Sequence, residues 1–161
     1  MASVMDSRVP SEVPGVTDDD EGGRPAMSSM MADMMKAMPM REMTGMDMPM
    51  MQRCIEACSA ASMAATMCAD ADSRENMGRC ASMCMNTADV ATAMMRMMMR
   101  PGGYDMGVMT SMMSACMAMG EACAAECETH AAMSEHCRIC ASACRAMVDA
   151  CSSAMSGMRS A

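Results

Sequence analysis

Residues 123–144 read CAAECETHAAMSEHCRICASAC. Cys123 and Cys127 stand four positions apart, and so do Cys140 and Cys144. Four positions are about one helical turn, so each pair stacks two sulfurs on one face of a helix. The turn-forming stretch between them joins two such helices back to back. The same spacing recurs upstream in Cys54/Cys58 and Cys80/Cys84. Four successive helices each present a thiol face, and four such faces turned inward make a tube lined with sulfur. That is a poor way to build an ordinary core and a good way to hold a soft metal.

Capping signals bound the helices. The first long helix is placed at about 49–70, with Asp47 as cap and Pro49 in the first turn. The second runs about 73–99, where Asp72 with Glu75 resembles a capping box and Pro101-Gly102-Gly103 ends the run. The third runs about 106–131 behind Asp105, and the fourth about 135–157 behind Ser134. Short connections make neighbours antiparallel. The expected fold is therefore all-α, an up-down-up-down antiparallel four-helix bundle over residues 49–158. Ahead of it lie a Met-rich arm over 27–48, helical at most to Pro39, and a tail over 1–26. The tail carries Asp18-Asp19-Asp20-Glu21 with several Pro and Gly and reads as disordered.

Steps of three and four define the inward stripes. The first helix offers Met51, Cys54, Cys58, Ala61, Ala65 and Cys68. The second offers Met77, Cys80, Cys84, Ala91, Met94 and Met98. On the third the stripe is Met109, Met113, Cys116, Gly120, Cys123, Cys127 and His130. On the fourth it is Cys137, Cys140, Cys144, Cys151 and Met155. All 12 Cys fall on these stripes. Free Cys also packs as a small hydrophobe, but that does not explain twelve inner positions in a chain without a single Leu.

The rest of the apolar inventory agrees. Among 161 residues there are 34 Met, no Phe, no Trp, one aromatic (Tyr104), and only Ile55 and Ile139 as isoleucines. Met and Ala specify a core poorly, so the metal-free fold should be marginal and a bound metal should stabilise it. Disulfides within the pairs are disfavoured: Cβ atoms one helical turn apart lie ~5–6 Å apart, against roughly 3.5–4.5 Å in a disulfide. Bridges between helices stay open at this level. The N-terminus shows no secretory pattern, so reduced thiols in the cytoplasm are expected. A net charge of −8 makes nucleic acid an unsuitable partner. The Met runs are broken by Lys36, Arg41, Arg96 and Arg100, so no membrane span is expected.

Thiolate and thioether donors select Cu(I), with zinc and iron–sulfur clusters as competitors. Zinc wants a closed tetrahedron from tight knuckles, and a long tube offers no isolated set of four. Iron–sulfur clusters want Cys in wrapping loops rather than a ladder on rigid helices. Copper accepts two or three sulfurs and bridges through shared thiolates, and the Met content favours it over zinc. The combined spacing Cys123-x3-Cys127-x2-His130-x5-His136-Cys137-x2-Cys140-x3-Cys144-x6-Cys151 resembles the bacterial four-helix-bundle copper storage proteins of the cytosolic type, over about residues 49–158. The resemblance implies a tetrameric, cytosolic Cu(I) store that holds many ions through its Cys-x-x-x-Cys pairs, with the two His near an open mouth. This chain has fewer Cys and far more Met than that pattern.

In an up-down bundle the first and third turns share one end. His130 and His136 then sit together with Cys68, Cys127 and Cys137. The opposite end collects Met48, Met50, Met51, Met94, Met95, Met98, Met109, Met112, Met113, Met155 and Met158, and receives the Met arm. The expected metal ligands are thus the twelve Cys, His130 and His136, with Met51, Met77, Met94, Met98, Met109, Met113 and Met155, arranged as a His mouth, a thiolate middle and a thioether end. Met as plastic filler is the competing reading for the methionines, and a helix-dipole role competes for His130. No Ser-His-Asp set, Gly-rich phosphate loop or Glu-x-x-His pair is present, so an enzyme is not expected. A copper chaperone, a zinc or iron–sulfur protein and a disulfide-stapled redox scaffold are the other function classes. Ion stoichiometry, colour and thiol counting separate them.

Overall fold

The computed structural model describes residues 27–37 and 48–159. The acidic tail expected over 1–26, the cap expected at Asp47 and the Met38-Pro39-Met40 triplet lie outside the described residues. The described residues form five α-helices and no strand: α1 (Met27–Ala37), α2 (Met48–Arg74), α3 (Gly78–Met98), α4 (Met106–Glu128) and α5 (Glu135–Arg159), with a 3-10 turn at Pro101–Gly103 before α4.

Four of the helices make the bundle. α2 packs on α3 and on α5, α4 packs on α3 and on α5, and α1 lies against α2. Neighbours run antiparallel, because partners descend on one helix as they ascend on the next. Cys54 meets Cys151 at 3.4 Å and Cys68 meets Cys137 at 3.8 Å across α2 and α5. Cys80 meets Cys127 at 3.6 Å and Cys84 meets Cys123 at 3.7 Å across α3 and α4. Ser62 and Thr92 hydroxyls sit 2.7 Å apart across α2 and α3, and Arg145 grips the Glu128 carboxylate with two bonds of 3.0 Å across α5 and α4.

The helix ends differ from expectation in an instructive way. α2 does not stop near residue 70 to let Asp72 cap the next helix. It runs to Arg74 and closes in a Schellman turn. Asn76 takes the left-handed conformation with φ 59°, and the Met77 amide donates to the Asp72 carbonyl at 2.9 Å. Asn tolerates that conformation better than most residues. α3 starts only at Gly78, with no side-chain cap at Met77. Asp105 does cap α4, accepting from the Val108 amide at 2.9 Å. Ser134 instead donates its hydroxyl to Glu75 at 3.2 Å, while its carbonyl accepts from Arg138. α4 ends at Glu128, so His130 lies in the turn beyond it rather than on the helix.

The interior divides along the axis. One cluster holds Cys54, Cys58, Cys116 and Cys151 among buried Met35, Met51, Met94, Met98, Met109, Met113, Met147 and Met155. The other holds the remaining eight Cys with alanines, and Met77 and Met83 partly buried at its edge. Tyr104 closes the Met end: its hydroxyl donates to the Met98 carbonyl and approaches Met51 Sδ at 4.0 Å. Met35 of α1 is buried in that same end.

Candidate metal centre

Every Cys is buried and free, and the sulfurs lie close enough to share ions. Three sets of four donors gather within 4.8 Å: Cys68/Cys80/Cys84/Cys127, Cys84/Cys123/Cys127/Cys140, and Cys68/Asp72/Cys80/Cys137. The first two share Cys84 and Cys127, and the first and third share Cys68 and Cys80. A further set of three, Cys54/Cys58/Cys151, sits in the Met half. Cys116 Sγ lies 3.5 Å from Met147 Sδ beside it. Cys144 is buried in the thiol half.

Crowding sets the protonation. In each region one sulfur collects S–H bonds from its neighbours and is driven well below the ordinary thiol range. Cys123 is lowered chiefly by Cys127, then Cys140, Cys144 and Cys84. Cys151 is lowered chiefly by Cys116, then Cys54 and Cys58, and Cys68 chiefly by Cys127, then Cys140 and Cys84. Their partners are pushed up in turn: Cys144 to about 12, chiefly through Cys123, and Cys116 to about 12, chiefly through Cys151. Cys84, Cys127 and Cys140 rise chiefly through Cys123, Cys58 chiefly through Cys116, and Cys54 chiefly through Cys151. Burial raises Cys80 to about 12 and also raises Cys137. Ions that bind these buried thiols as thiolates displace protons, so uptake depends on pH.

The two His part company. His136 Nδ1 lies 3.4 Å from Cys68 Sγ and 3.5 Å from Cys137 Sγ. Its protonated form is favoured chiefly by the Cys68 sulfur, against the opposing effect of burial, with Glu75 adding to it. His130 Nε2 lies 3.8 Å from Glu126 Oε1, and neither His belongs to the donor sets above. Of the expected methionines, Met51, Met94, Met98, Met109, Met113 and Met155 are buried in the Met half. Met77 stands apart, half-buried against the thiol cluster just before α3.

Two residues of the interior escape the sequence reading. Asp72 is fully buried, with Oδ1 3.4 Å from Cys137 Sγ and Oδ2 3.6 Å from Cys68 Sγ, and burial raises its pKa. It continues the α2 stripe one turn past Cys68, a signal the spacing does carry. Met147 is fully buried, three positions past Cys144 and four before Cys151, on the α5 stripe.

Comparison with known proteins agrees with this geometry. The copper storage protein family model matches residues 40–156. The copper storage protein of Streptomyces lividans, in a structure loaded with 10 copper equivalents, is 38% identical with a TM-score of 0.73, over 78% of this chain and 98% of that one. A cytosolic copper storage protein from the same organism, in a structure with five coppers, is 40% identical with a TM-score of 0.65, over 68% of this chain and 94% of that one. A variant of the Streptomyces lividans protein, with a single histidine replaced by alanine, is 40% identical with a TM-score of 0.67, over 71% of this chain and 98% of that one. No curated protein sequence matches. A thiol-lined four-helix tube and a family match over most of its length lead to one conclusion: this chain belongs to the copper storage protein family.

Proposed function

We propose that this protein stores and buffers copper as Cu(I), several ions per chain, inside its bundle, and catalyses no reaction. The observation that carries this is the overlap of the donor sets: Cys84 and Cys127 each belong to two groups of four buried sulfurs. Shared thiolates bridge neighbouring soft ions, which suits Cu(I), whereas structural zinc takes a closed set of its own. A chaperone would offer an exposed site for one or two ions, and burial of every thiol favours a store instead. The ligands are the twelve Cys, with His136 at the mouth and thioethers of Met51, Met94, Met98, Met109, Met113, Met147 and Met155 at the far end. Thioether is neutral and needs no proton loss, so that end should hold Cu(I) more weakly and exchange it faster. Helix α1 closes it, a reading supported by burial of Met35.

Free thiols call for a reducing compartment, and a similar protein is described as cytosolic, which supports a cytoplasmic location. No helix of the described residues is long and apolar enough to cross a membrane. Assembly as a homotetramer is supported by exposed Met63 and Met67, one turn apart on α2, with Met85 exposed on α3. The deciding experiment is anaerobic titration of the reduced protein with Cu(I) against a chromophoric competitor. We expect uptake of about half as many ions as there are Cys, or more. Saturation at one ion, or preference for zinc across all the thiol sets, defeats the proposal.

A further inference from the structure

A cavity borders the far end of the tube, between the end of α3 and the start of α4. Its volume is about 340 Å3, and Met97, Arg100, Tyr104, Val108 and Met109 are among the residues that line it. Arg100 and Val108 are exposed and lie on its outer side. Met109 is fully buried and Tyr104 half-buried, and these two form its floor. Met51 and Met98 are also fully buried, and with Met109 they belong to the cluster that holds Cys54, Cys58 and Cys151. Thioether therefore lines both the cavity and the interior next to it.

Tyr104 stands between the two. It lines the cavity, while its hydroxyl donates to the Met98 carbonyl and approaches Met51 Sδ at 4.0 Å. The Met98 carbonyl belongs to the last turn of α3, where carbonyls lack a partner within the helix. Burial, and then the charge of Cys54, raise the phenol to about 12, so it keeps the proton that makes this bond. A single hydrogen bond is a weak latch. Gly102 and Gly103, just before Tyr104, have open space where a side chain would stand. The turn that carries Tyr104 can therefore shift without displacing neighbours.

Copper entering at the His136 end has a poor route to the Cys54/Cys58/Cys151 set. It must pass Ala61 and Ala65 on α2, Thr87 on α3 and Gly120 on α4, none of which offers sulfur. From the cavity, by contrast, only Tyr104 and the buried methionines intervene. We propose that this cavity is a second port for Cu(I), with Met97 and Met109 as entry thioethers and the Tyr104 side chain as its gate. The port serves the Cys54/Cys58/Cys151 set directly. Passage is ligand exchange without a change of oxidation state. Cu(I) leaves its carrier for a neutral thioether, then passes to a Cys sulfur, and the proton of that thiol goes to solvent. The port rests on the reading of the tube as a Cu(I) store and adds a second way into it.

Tyr104 is the only aromatic residue of the chain, so its fluorescence reports on this end alone. Cu(I)–thiolate absorption in the ultraviolet quenches it when copper reaches the neighbouring thiols. The test is anaerobic stopped-flow mixing of the reduced full chain with Cu(I) supplied as its acetonitrile complex, in an amount well below capacity. Tyr104 emission and Cu(I)–thiolate absorption are followed together. Quenching is expected within the earliest absorption phase. Val108→Phe, at an exposed position on the cavity wall, slows the quenching several-fold and does not delay the other phases. Tyr104→Phe keeps the ring and removes the latch, and the same early phase, read by absorption, becomes faster. Quenching that begins only after the other thiols have filled, or that Val108→Phe leaves unchanged, overturns the proposal. A Tyr104→Phe variant that loses stability but loads at the wild-type rate makes the hydroxyl a helix cap and overturns the gate. Equilibrium uptake by the wild-type protein separates the two readings. Several ions with late quenching leave the store standing without the port, and saturation at one ion removes both.

Discussion

Eight thiols share the mouth half of the tube with alanines, whereas four thiols stand among eight buried methionines in the far half. Both halves use the same helical spacing, and they differ in what fills the space when no metal is bound. Met side chains are large and flexible and make a serviceable apolar core by themselves. Ala and Cys bury little surface and leave the mouth half dependent on its cargo. The halves also differ electrically, since a thiol must give up a proton to bind and a thioether need not. On the proposed reading, the mouth half is the tight and metal-dependent part of the store, and the far half is the self-supporting and exchangeable part.

The border between them is built from residues that offer no sulfur. Ala61 and Ala65 separate Cys58 from Cys68 on α2, Thr87 follows Cys84 on α3, and Gly120 lies between Cys116 and Cys123 on α4. Among the described residues only α5 carries fully buried sulfur across, as Cys144, Met147 and Cys151. Gly120 makes room for this. A Cβ there would stand 2.8 Å from Met147 Cε and 3.0 Å from Val148 Cγ2.

The largest effect should come from removing shared thiols. Cys84→Ser with Cys127→Ser dismantles two overlapping sets and should cost roughly half of the bound copper by metal analysis of the loaded protein. Cys54→Ser with Cys151→Ser should cost clearly less, and equal losses would break the contrast between the halves. Gly120→Ala should be next. The added methyl gains helix propensity, about 0.5–1 kcal/mol. It must nevertheless displace Met147 and Val148, and overpacking costs about 1–3 kcal/mol. A net loss of stability in metal-free chemical denaturation is expected, and a net gain would show that the border is loosely packed. The smallest effect is that of Met94→Leu or Met113→Leu. Volume is nearly conserved, so stability should change by less than about 1.5 kcal/mol. Copper capacity should fall by about one ion if the thioether is a ligand. Unchanged capacity in both variants would make the far methionines packing alone.

The bundle and its thiol stripes are legible in the sequence because a spacing of three and four on a helix has one geometric meaning, whatever surrounds it. Asp72 is ambiguous there, because an Asp three positions before a Glu is also the signature of a helix start. The residue that decides between the two is Asn76, whose left-handed conformation lets α2 run on and carry Asp72 into the interior. Met147 is hard to single out among so many methionines, although it lies on the stripe between Cys144 and Cys151. His130 falls beside the thiols only if α4 extends to residue 131. The helix stops at Glu128, and His130 pairs with Glu126 four positions back, while His136 stands against Cys68 and Cys137. The overlap of the donor sets is beyond sequence, since it depends on the relative rotation of four helices.

The most direct test of the central claim is anomalous scattering at the copper edge from crystals of protein loaded anaerobically with Cu(I). Copper is expected inside the tube in both halves, bonded to Sγ atoms of Cys84 and Cys127 on the mouth side and of Cys54, Cys58 and Cys151 on the far side. Copper confined to the outer surface, with the thiol-lined interior empty, would contradict it.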